Sequence, residues 1–411
     1  MKKYMRDRWL LPVLCLLLLA GAIGMIQLEH VHAVQPKSLV TTFKGDPGTS
    51  RAFTWYTEDE NPAALLQIAE GTDNSALRGK DVLTYQAESA VIDIGNGQQN
   101  SSHKVEVSGL EPGRTYIYRV GNGSKGSWSK EHTFTTEAAN TEEFTFINVT
   151  DSQGITRTDF ELWGKTLDTA LSLFPQASFI VHNGDLTENT EDEQAWNDFF
   201  ATAGKWVPSI PLMPVTGNHE QVDSEASRYL AHFNLPEQGA EGSLPGTVYS
   251  YDYGEAHFVV LNTESNIDEQ TEWLREDLRH NAKRWTIVAI HRPVYGGNQY
   301  KKIGAWAKVF DEYNVDLVLQ GHNHEYSRSY SIKDEKIVGE GEGTVYVTTN
   351  ASGQKFNEKK QDQFYHEVHF QNYKQMFAAI TVTKSSLTYE AYDIEGQRLD
   401  RFELRQRRQR R

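Results

Sequence analysis

Five short polar clusters contain residue types that bind metal ions. They are Asp151-Ser152-Gln153, Gly184-Asp185, Gly217-Asn218-His219-Glu220, His291-Arg292-Pro293 and Gly321-His322-Asn323-His324. Imidazole and carboxylate ligands together suit Zn, Fe or Mn, and neighbouring oxygens would also admit Mg. The chain has a single cysteine, which excludes a metal site built from several thiolates.

A pair of metal ions would give the five clusters one common chemistry. One carboxylate can bridge two ions about 3.5–4 Å apart, and such a centre generates hydroxide near neutral pH. It also neutralises a phosphoryl group during transfer. Taken singly, most of the clusters are ordinary turns or strand ends. The strongest single signal is Gly321-His322-Asn323-His324, because two alternate histidines beside a glycine fit a tight metal-binding turn.

Each cluster follows an apolar stretch that we predict to be a buried strand. These stretches are residues 144–149, 178–181, 211–215, 285–290 and 315–319. Helical patterns occur between them, at residues 159–174, 191–205, 268–281 and 305–313. This alternation from about residue 141 predicts an α/β layered architecture, and antiparallel ribbons at 247–261 and 377–392 make the sheet mixed. Ligands bind beyond the carboxyl ends of strands in open α/β sheets, so we expect the clusters to meet there.

The chain before residue 141 has the pattern of an all-β domain. Residues 51–57, 90–94, 103–108 and 115–120 alternate or are enriched in β-branched and aromatic residues. Turn sequences such as Glu111-Pro112-Gly113 separate these stretches. Short strands at this spacing predict an antiparallel sandwich over residues 35–137, with Trp55, Tyr116 and Tyr118 in its core.

Length and composition restrict the function. The 411 residues favour two domains, and 38% apolar with 24% charged residues is ordinary for a folded protein. The net charge of −15 argues against nucleic-acid binding, which needs a basic surface. A small phosphorylated substrate is not excluded, because a metal ion supplies positive charge locally.

The two ends of the chain carry charge patterns of their own. Four basic residues within the first eight precede an apolar stretch at 9–26. Residues 1–33 are therefore predicted to be a signal peptide cut after Ala33, or alternatively a retained N-terminal membrane anchor. Either places the protein outside the cytoplasm, secreted or at the cell surface. Seven arginines in residues 398–411 predict a solvated tail, with contact to an anionic surface as the alternative.

In this order the clusters resemble the calcineurin-like metallophosphoesterases, and more closely their purple acid phosphatase branch. The stretches 291–295 and 321–328 are similar to that branch in particular. Residues 45–47, 54–55 and 103–120 are similar to its N-terminal, fibronectin type III-like domain. The resemblance covers nearly all of the chain after residue 33. It implies a fibronectin-like sandwich over 35–137 and an αββα catalytic domain over 141–397, with mixed sheets flanked by helices.

The resemblance also implies a role for each cluster. Asp185 would bridge two divalent ions (Fe, Mn or Zn). Asn218, His291 and His322 would complete one metal site, and Asp151 and His324 would hold the other. The reaction would be hydrolysis of the phosphate monoester of a small molecule, as in acid phosphatases, with metal-bound hydroxide as the nucleophile. His219 would be the catalytic residue, which contacts phosphoryl oxygens and protonates the leaving alkoxide.

Two positions differ from the family pattern. The broader family usually has His where this chain has Gln153, so we expect this amide to be a weak metal ligand or a contact of bound water. Purple enzymes have Tyr three residues after the bridging carboxylate, where this chain has Glu188. That tyrosinate stabilises ferric iron and gives the colour. We therefore expect a divalent pair and a colourless protein.

Two other functions fit the same residues. A phosphodiesterase would use the same centre, and a catalytically weak surface binding protein would keep the fold without turnover. His366-Glu367-Val368-His369 superficially resembles a zinc-protease helix, but that motif needs histidines four apart and these are three apart. We expect these residues in a loop or at the substrate rim.

Overall fold

The computed structural model describes residues 33–58, 63–222 and 225–406. The predicted signal peptide or anchor over residues 1–33 lies outside these ranges except for Ala33, and so do residues 407–411 of the predicted tail. None of the helices within these ranges has the length and apolar character needed to cross a membrane. The described chain forms an all-β domain followed by an α/β domain.

The N-terminal domain is an antiparallel β-sandwich. Its strands are β1 (Lys37–Thr42), β2 (Ser50–Thr57), β3 (Leu65–Glu70), β4 (Leu83–Gln86), β5 (Glu88–Gly95), β6 (Gln98–Ser108), β7 (Thr115–Gly121) and β8 (His132–Thr135). They form two four-stranded sheets with the orders β1-β2-β6-β5 and β4-β3-β7-β8. Phe53 and Trp55 of one sheet share a buried cluster with Leu66 and Tyr118 of the other. The predicted all-β domain is confirmed, and its likeness to fibronectin stays a prediction.

The C-terminal domain contains the remaining strands and all the α-helices described below. Its strands are β9 (Glu143–Val149), β10 (Ala177–His182), β11 (Leu212–Pro214), β12 (Tyr249–Tyr253), β13 (Ala256–Val260), β14 (Trp285–Ala289), β15 (Leu317–Gln320), β16 (Tyr326–Ser329), β17 (Ile332–Lys333), β18 (Lys336–Ile337), β19 (Val345–Thr348), β20 (His366–Phe370), β21 (Met376–Thr383), β22 (Ser386–Asp393) and β23 (Arg398–Arg405). Its helices are α1 (Arg157–Leu173), α2 (Glu193–Ala203), α3 (Ser227–His232), α4 (Ile267–His280) and α5 (Gly304–Tyr313). Two 3₁₀ helices cover Ala76–Arg78 in the first domain and Lys301–Ile303 in the second.

Two mixed sheets face each other in the C-terminal domain and form its core. Their orders are β11-β10-β9-β21-β22-β23 and β12-β13-β14-β15-β19-β16-β20. Phe146 and Phe179 of the first sheet stack on each other, and both meet Phe258 of the second sheet edge-on. Helices α1 and α2 pack on the first sheet, whereas α4 and α5 share a separate buried cluster with the second, including Leu274 and Trp306. The predicted αββα arrangement is confirmed.

Residues 398–405 form a strand, so the predicted tail over 398–411 was wrong for this part. β23 pairs antiparallel with β22 at the edge of the first sheet. The Phe402 ring stacks on Tyr389, while Arg401 faces Glu390 at 3.7 Å. Apolar and charged residues alternate over residues 401–405, which is typical of an edge strand. The prediction of a tail gave more weight to the number of arginines than to this alternation. The catalytic domain therefore extends beyond residue 397.

The stretch from His366 to His369 lies in strand β20, so the expectation of a loop was wrong. β20 pairs antiparallel with β16, and the register of this pair shifts between Arg328 and Ser329. Side chains three apart in a regular strand point to opposite faces. Here the His366 and His369 rings lie only 4.0 Å apart between centroids, next to the irregularity.

Candidate metal centre

The six predicted ligands lie beyond the carboxyl ends of two sets of parallel strands. β9, β10 and β11 are parallel in the first sheet, and β14 and β15 are parallel in the second. The two sets are joined at these ends by Asn183. Its amide donates to the backbone oxygens of Ile290 at 2.9 Å and Leu319 at 2.8 Å. The five clusters therefore meet at one place, as the strand pattern predicts.

Four of the six residues have a left-handed backbone conformation. The φ angles are 51° for Asp151, 54° for Asp185, 71° for His322 and 53° for His324. Such conformations cost non-glycine residues about 1–3 kcal/mol and are concentrated at functional sites. The turns also approach each other closely, because a Cβ on Gly217 would lie 2.2 Å from Asp185 Oδ1. The tight turns point the side chains inward.

The first group of potential ligand atoms surrounds the Nε2 atom of His291. Asp185 Oδ2 lies 3.1 Å from it, Asn218 Oδ1 lies 3.2 Å from it, and His322 Nδ1 lies 3.2 Å from it. Four residues from four different loops thus present a ligand atom to one small volume. This is the set that the resemblance assigns to one metal site.

The second group contains Asp151, Asp185 and His324. Their ligand atoms lie within 4.8 Å of one another, and Asp151 Oδ1 is 3.2 Å from His324 Nε2. All three residues are buried. Asp185 belongs to this group and also to a group with His291 and His322 that meets the same distance limit. Its carboxylate is therefore common to both groups.

Two histidines have their outer ring nitrogen fixed by a backbone oxygen. His291 Nδ1 donates to Asn183 at 2.7 Å, and His324 Nδ1 donates to Lys355 at 2.8 Å. This leaves the Nε2 lone pair of each ring directed at the carboxylates. Metal-binding histidines are usually held in this way, with the second nitrogen donating to a carbonyl or carboxylate.

The buried amide oxygen of Gln153 indicates that the site is suited to metal ions. Gln153 donates from Nε2 to Glu188 Oε2 at 3.3 Å, but its Oε1 atom is buried and has no hydrogen-bond partner in the described structure. Buried polar atoms are rarely left unpaired, so this oxygen calls for a positively polarised partner. Carboxylate, imidazole and amide atoms together form the donor set of a dinuclear centre. The residues fit such a centre.

Charges in the site shift pKa values in opposite directions. Burial raises the pKa of Asp185, but His291 and His219 outweigh it and hold this pKa well below its usual range. Burial lowers the pKa of His291, but Asp185 outweighs it and raises the pKa to about 10. Burial and the charge of His291 lower the pKa of His322 to about 3. Strongly perturbed groups that share one site are a mark of function.

His219 lies at the rim of the ligand groups and belongs to neither of them. Its Nδ1 donates to the backbone oxygen of Glu188 at 2.6 Å, and its Nε2 lies 3.9 Å from Asp185 Oδ2. The side chain is 22% exposed, whereas Asp151, Asp185, His291 and His324 are buried. The position therefore agrees with a residue that meets a substrate.

Two further residues of the site were in the polar clusters but received no role from the sequence. Glu220 is fully buried and accepts the backbone N–H groups of Asp185, Leu186 and Gly217 at 2.7–2.8 Å. Arg292 lies 3.0 Å from His322 Nε2. Their membership in the clusters was the only signal available.

Two family descriptions match the chain. Purple acid phosphatase, N-terminal domain, matches residues 36–136, and calcineurin-like phosphoesterase matches residues 144–326. The chain belongs to the calcineurin-like phosphoesterases. It is a phosphoric ester hydrolase of the purple acid phosphatase-like branch, whose fold implies a dinuclear metal centre.

Relatives extend over most of the chain. Acid phosphatase type 7 of Mus musculus is 27% identical, over 84% of this chain and 83% of the relative. Purple acid phosphatase 23 of Arabidopsis thaliana is 26% identical, over 75% of this chain and 72% of the relative. A solved purple acid phosphatase from yellow lupin (Lupinus luteus) seeds has a TM-score of 0.78 at 18% identity, covering 90% of this chain and 74% of that chain. The last similarity shows the shared fold.

Proposed function

We propose that this chain is an exported dimetal phosphomonoesterase with acid phosphatase-like activity on small phosphorylated molecules. The observation that supports this most is the position of Asp185 in two groups of ligand atoms. One group includes His291 and His322, and the other includes Asp151 and His324. A carboxylate shared in this way is suited to bridge two ions.

The proposed ligands of the two ions are Asp185 with Asn218, His291 and His322, and Asp185 with Asp151 and His324. Gln153 is a weak further ligand or a contact of bound water. When bound, two divalent ions (Fe, Mn or Zn) supply positive charge to the phosphoryl group and generate hydroxide from water. Glu188 stands where purple enzymes have tyrosine, so we expect a colourless protein. Its Oε1 atom lies 3.2 Å from Lys355 Nζ.

His219 is proposed to act on the leaving group. The Glu188 backbone oxygen fixes Nδ1, so Nε2 faces the side on which Asp185 lies. A proton held at Nε2 stabilises phosphoryl oxygens and passes to the departing alkoxide. General-acid help of this kind contributes about 10²–10⁴-fold.

Activity after controlled metal loading tests the function. The chain from residue 34 onward is stripped of metal, reloaded with Mn, Zn or Fe(II), and assayed on nitrophenyl phosphate mono- and diesters. We expect activity only after loading, a preference for the monoester, and two ions in the catalytic centre. Asp185→Asn should abolish the phosphatase activity, whereas Glu340→Gln, at an exposed position, should leave it unchanged. Preference for the diester would indicate a phosphodiesterase, and phosphate binding without turnover would indicate a binding protein. Either result contradicts the proposal.

Export is tested separately on the full-length chain. We expect the protein in the medium or at the cell surface, with Val34 as its first residue. A chain that keeps Met1 in the membrane fraction would indicate the retained anchor instead. Recovery in the cytosol would contradict export.

A further inference from the structure

A third group of potential metal ligands lies on β20 and the segment before it. Asp362, His366 and His369 each offer one ligand atom, and these atoms lie within 4.8 Å of one another. In the described ranges, the other two groups of this kind both contain Asp185 and belong to the catalytic centre. The third group shares no residue with them.

Both histidines of this group have the orientation of ligating histidines. His369 Nε2 lies 3.2 Å from Glu325 Oε2, and its Nδ1 lies 2.7 Å from Asp362 Oδ1. His366 Nε2 donates to the backbone oxygen of Gly296 at 2.8 Å, and its Nδ1 accepts a backbone N–H at 3.1 Å. A metal-bound histidine commonly donates its other N–H to a carboxylate or carbonyl, which fixes the tautomer. With the proton at Nε2, Nδ1 is the ligand atom of each ring, and a bound ion replaces the Gln363 N–H at His366 and the hydrogen bond between His369 Nδ1 and Asp362.

Glu325 supports this group from inside the protein. Its buried carboxylate accepts the backbone N–H of Lys360 at 2.7 Å. Gly297 leaves room for it, because a Cβ at that position would lie 1.7 Å from Glu325 Oε1. The group thus has a rigid inner side and an open outer side at Asp362.

We propose that Asp362, His366 and His369 form an accessory site for one divalent ion, with zinc as the best match. Two imidazoles and a carboxylate suit zinc, and three protein ligands leave a fourth position for water. Asp362 is exposed, so the ion enters from solvent. Lys359 Nζ lies 2.6 Å from Asp362 Oδ1 and turns into solvent when the ion binds.

An ion at this site would fix the segment that leads from the catalytic centre to β20. The segment starts at Lys355, whose backbone oxygen accepts the N–H of the proposed ligand His324. Asn357 Nδ2 then donates to the backbone oxygen of Asn323 at 3.0 Å. Asp362 lies further along the same segment, so the ion ties this rim of the catalytic centre to the sheet.

Zinc stoichiometry separates the accessory site from the catalytic centre. After dialysis of the full chain against zinc, elemental analysis should find three ions in the wild type and two in the variant His366→Gln/His369→Gln. The same loss of one ion should follow when both changes are made in an Asp185→Asn chain. His280→Ala, which removes an exposed histidine on α4, is the matched control and should keep three.

Two single variants keep the test decisive if the double variant does not fold. Asp362→Asn, at an exposed position, should weaken binding of the third ion, and Lys359→Met should tighten it. Circular dichroism verifies the fold of each. An unchanged zinc count in the folded double variant, or unchanged affinity in Asp362→Asn, overturns the proposal. The group is then a hydrogen-bonded ion network between Asp362, His369 and Glu325.

Discussion

Replacing Glu220 by glutamine should loosen the catalytic centre without removing any proposed ligand. Glu220 Oε2 accepts the backbone N–H groups of Asp185 and Gly217, each at 2.8 Å, and Oε1 accepts that of Leu186 at 2.7 Å. Glutamine has one amide oxygen, so its NH₂ group must face at least one of these donors. A buried donor left unpaired costs about 1–3 kcal/mol. The turn that carries Asp185 then shifts, and loss of such an outer partner lowers metal affinity about 10–100-fold.

Metal titration of the apo-protein and thermal unfolding measure these effects for Glu220→Gln. We expect weaker metal binding, a retained fold and a transition temperature lowered by about 2–4 °C for each kcal/mol lost. Glu340→Gln, an exposed glutamate with the same change, should match the wild type. Unchanged affinity and unchanged transition temperature would refute the reasoning. A lower transition temperature alone would limit Glu220 to a structural role.

Three further results are expected. His219→Ala should keep its metal ions and lose about 10²–10⁴-fold in rate on an alkyl phosphate. The loss should be smaller on a nitrophenyl ester, whose leaving group needs no proton. Equal rate losses on the two substrates would exclude the role of His219 as an acid. Gln153→His should tighten one of the two metal sites in a Mn or Zn titration, because imidazole is a stronger ligand than an amide oxygen; unchanged affinity would place Gln153 outside the ligand set. Burial lowers the pKa of His257, but Asp252 and Asp277 outweigh it and raise the pKa from 6.5 to about 9. Protonated His257 therefore contributes at most about 3 kcal/mol to the free energy of unfolding. This contribution is complete below pH 6.5 and is lost as the pH rises to about 9. Thermal unfolding across this range should show the loss in the wild type and not in His257→Gln, and parallel curves would contradict it.

Periodicity predicted the layers of the fold well, because each buried face imposes its own repeat on the sequence. The predicted strand 144–149 and helix 268–281 agree with β9 and α4 to within one residue at each end. The order of strands could not be predicted in this way. β9 pairs with β21, more than two hundred residues further along the chain, through contacts that no local pattern encodes. β23 was missed because the seven arginines of residues 398–411 outweighed the short alternation of Arg401, Glu403 and Arg405 with Phe402 and Leu404.

Residue types and their order predicted which side chains converge, but not how the backbone holds them. The left-handed conformations of Asp151 and Asp185 depend on the surrounding turns and have no signature in residue type. Glu220 accepts from backbone groups 34 and 35 positions earlier in the chain, so its partners are invisible in a linear sequence. The close approach that requires Gly217 is likewise a property of two loops together.

The geometry of the centre depends on a contact between the two sheets that uses no proposed ligand side chain. Asn183 follows β10, and its buried amide donates to the backbone oxygens of Ile290 and Leu319, which lie at the ends of β14 and β15. Its own backbone oxygen fixes His291 Nδ1 at 2.7 Å. Asp185 is only two residues further on, so its 3.1 Å distance to His291 is set largely by the short stretch of backbone that carries Asn183. Functional groups must be held to within about 0.5 Å, and a short, buried backbone connection achieves this better than long side chains on separate loops.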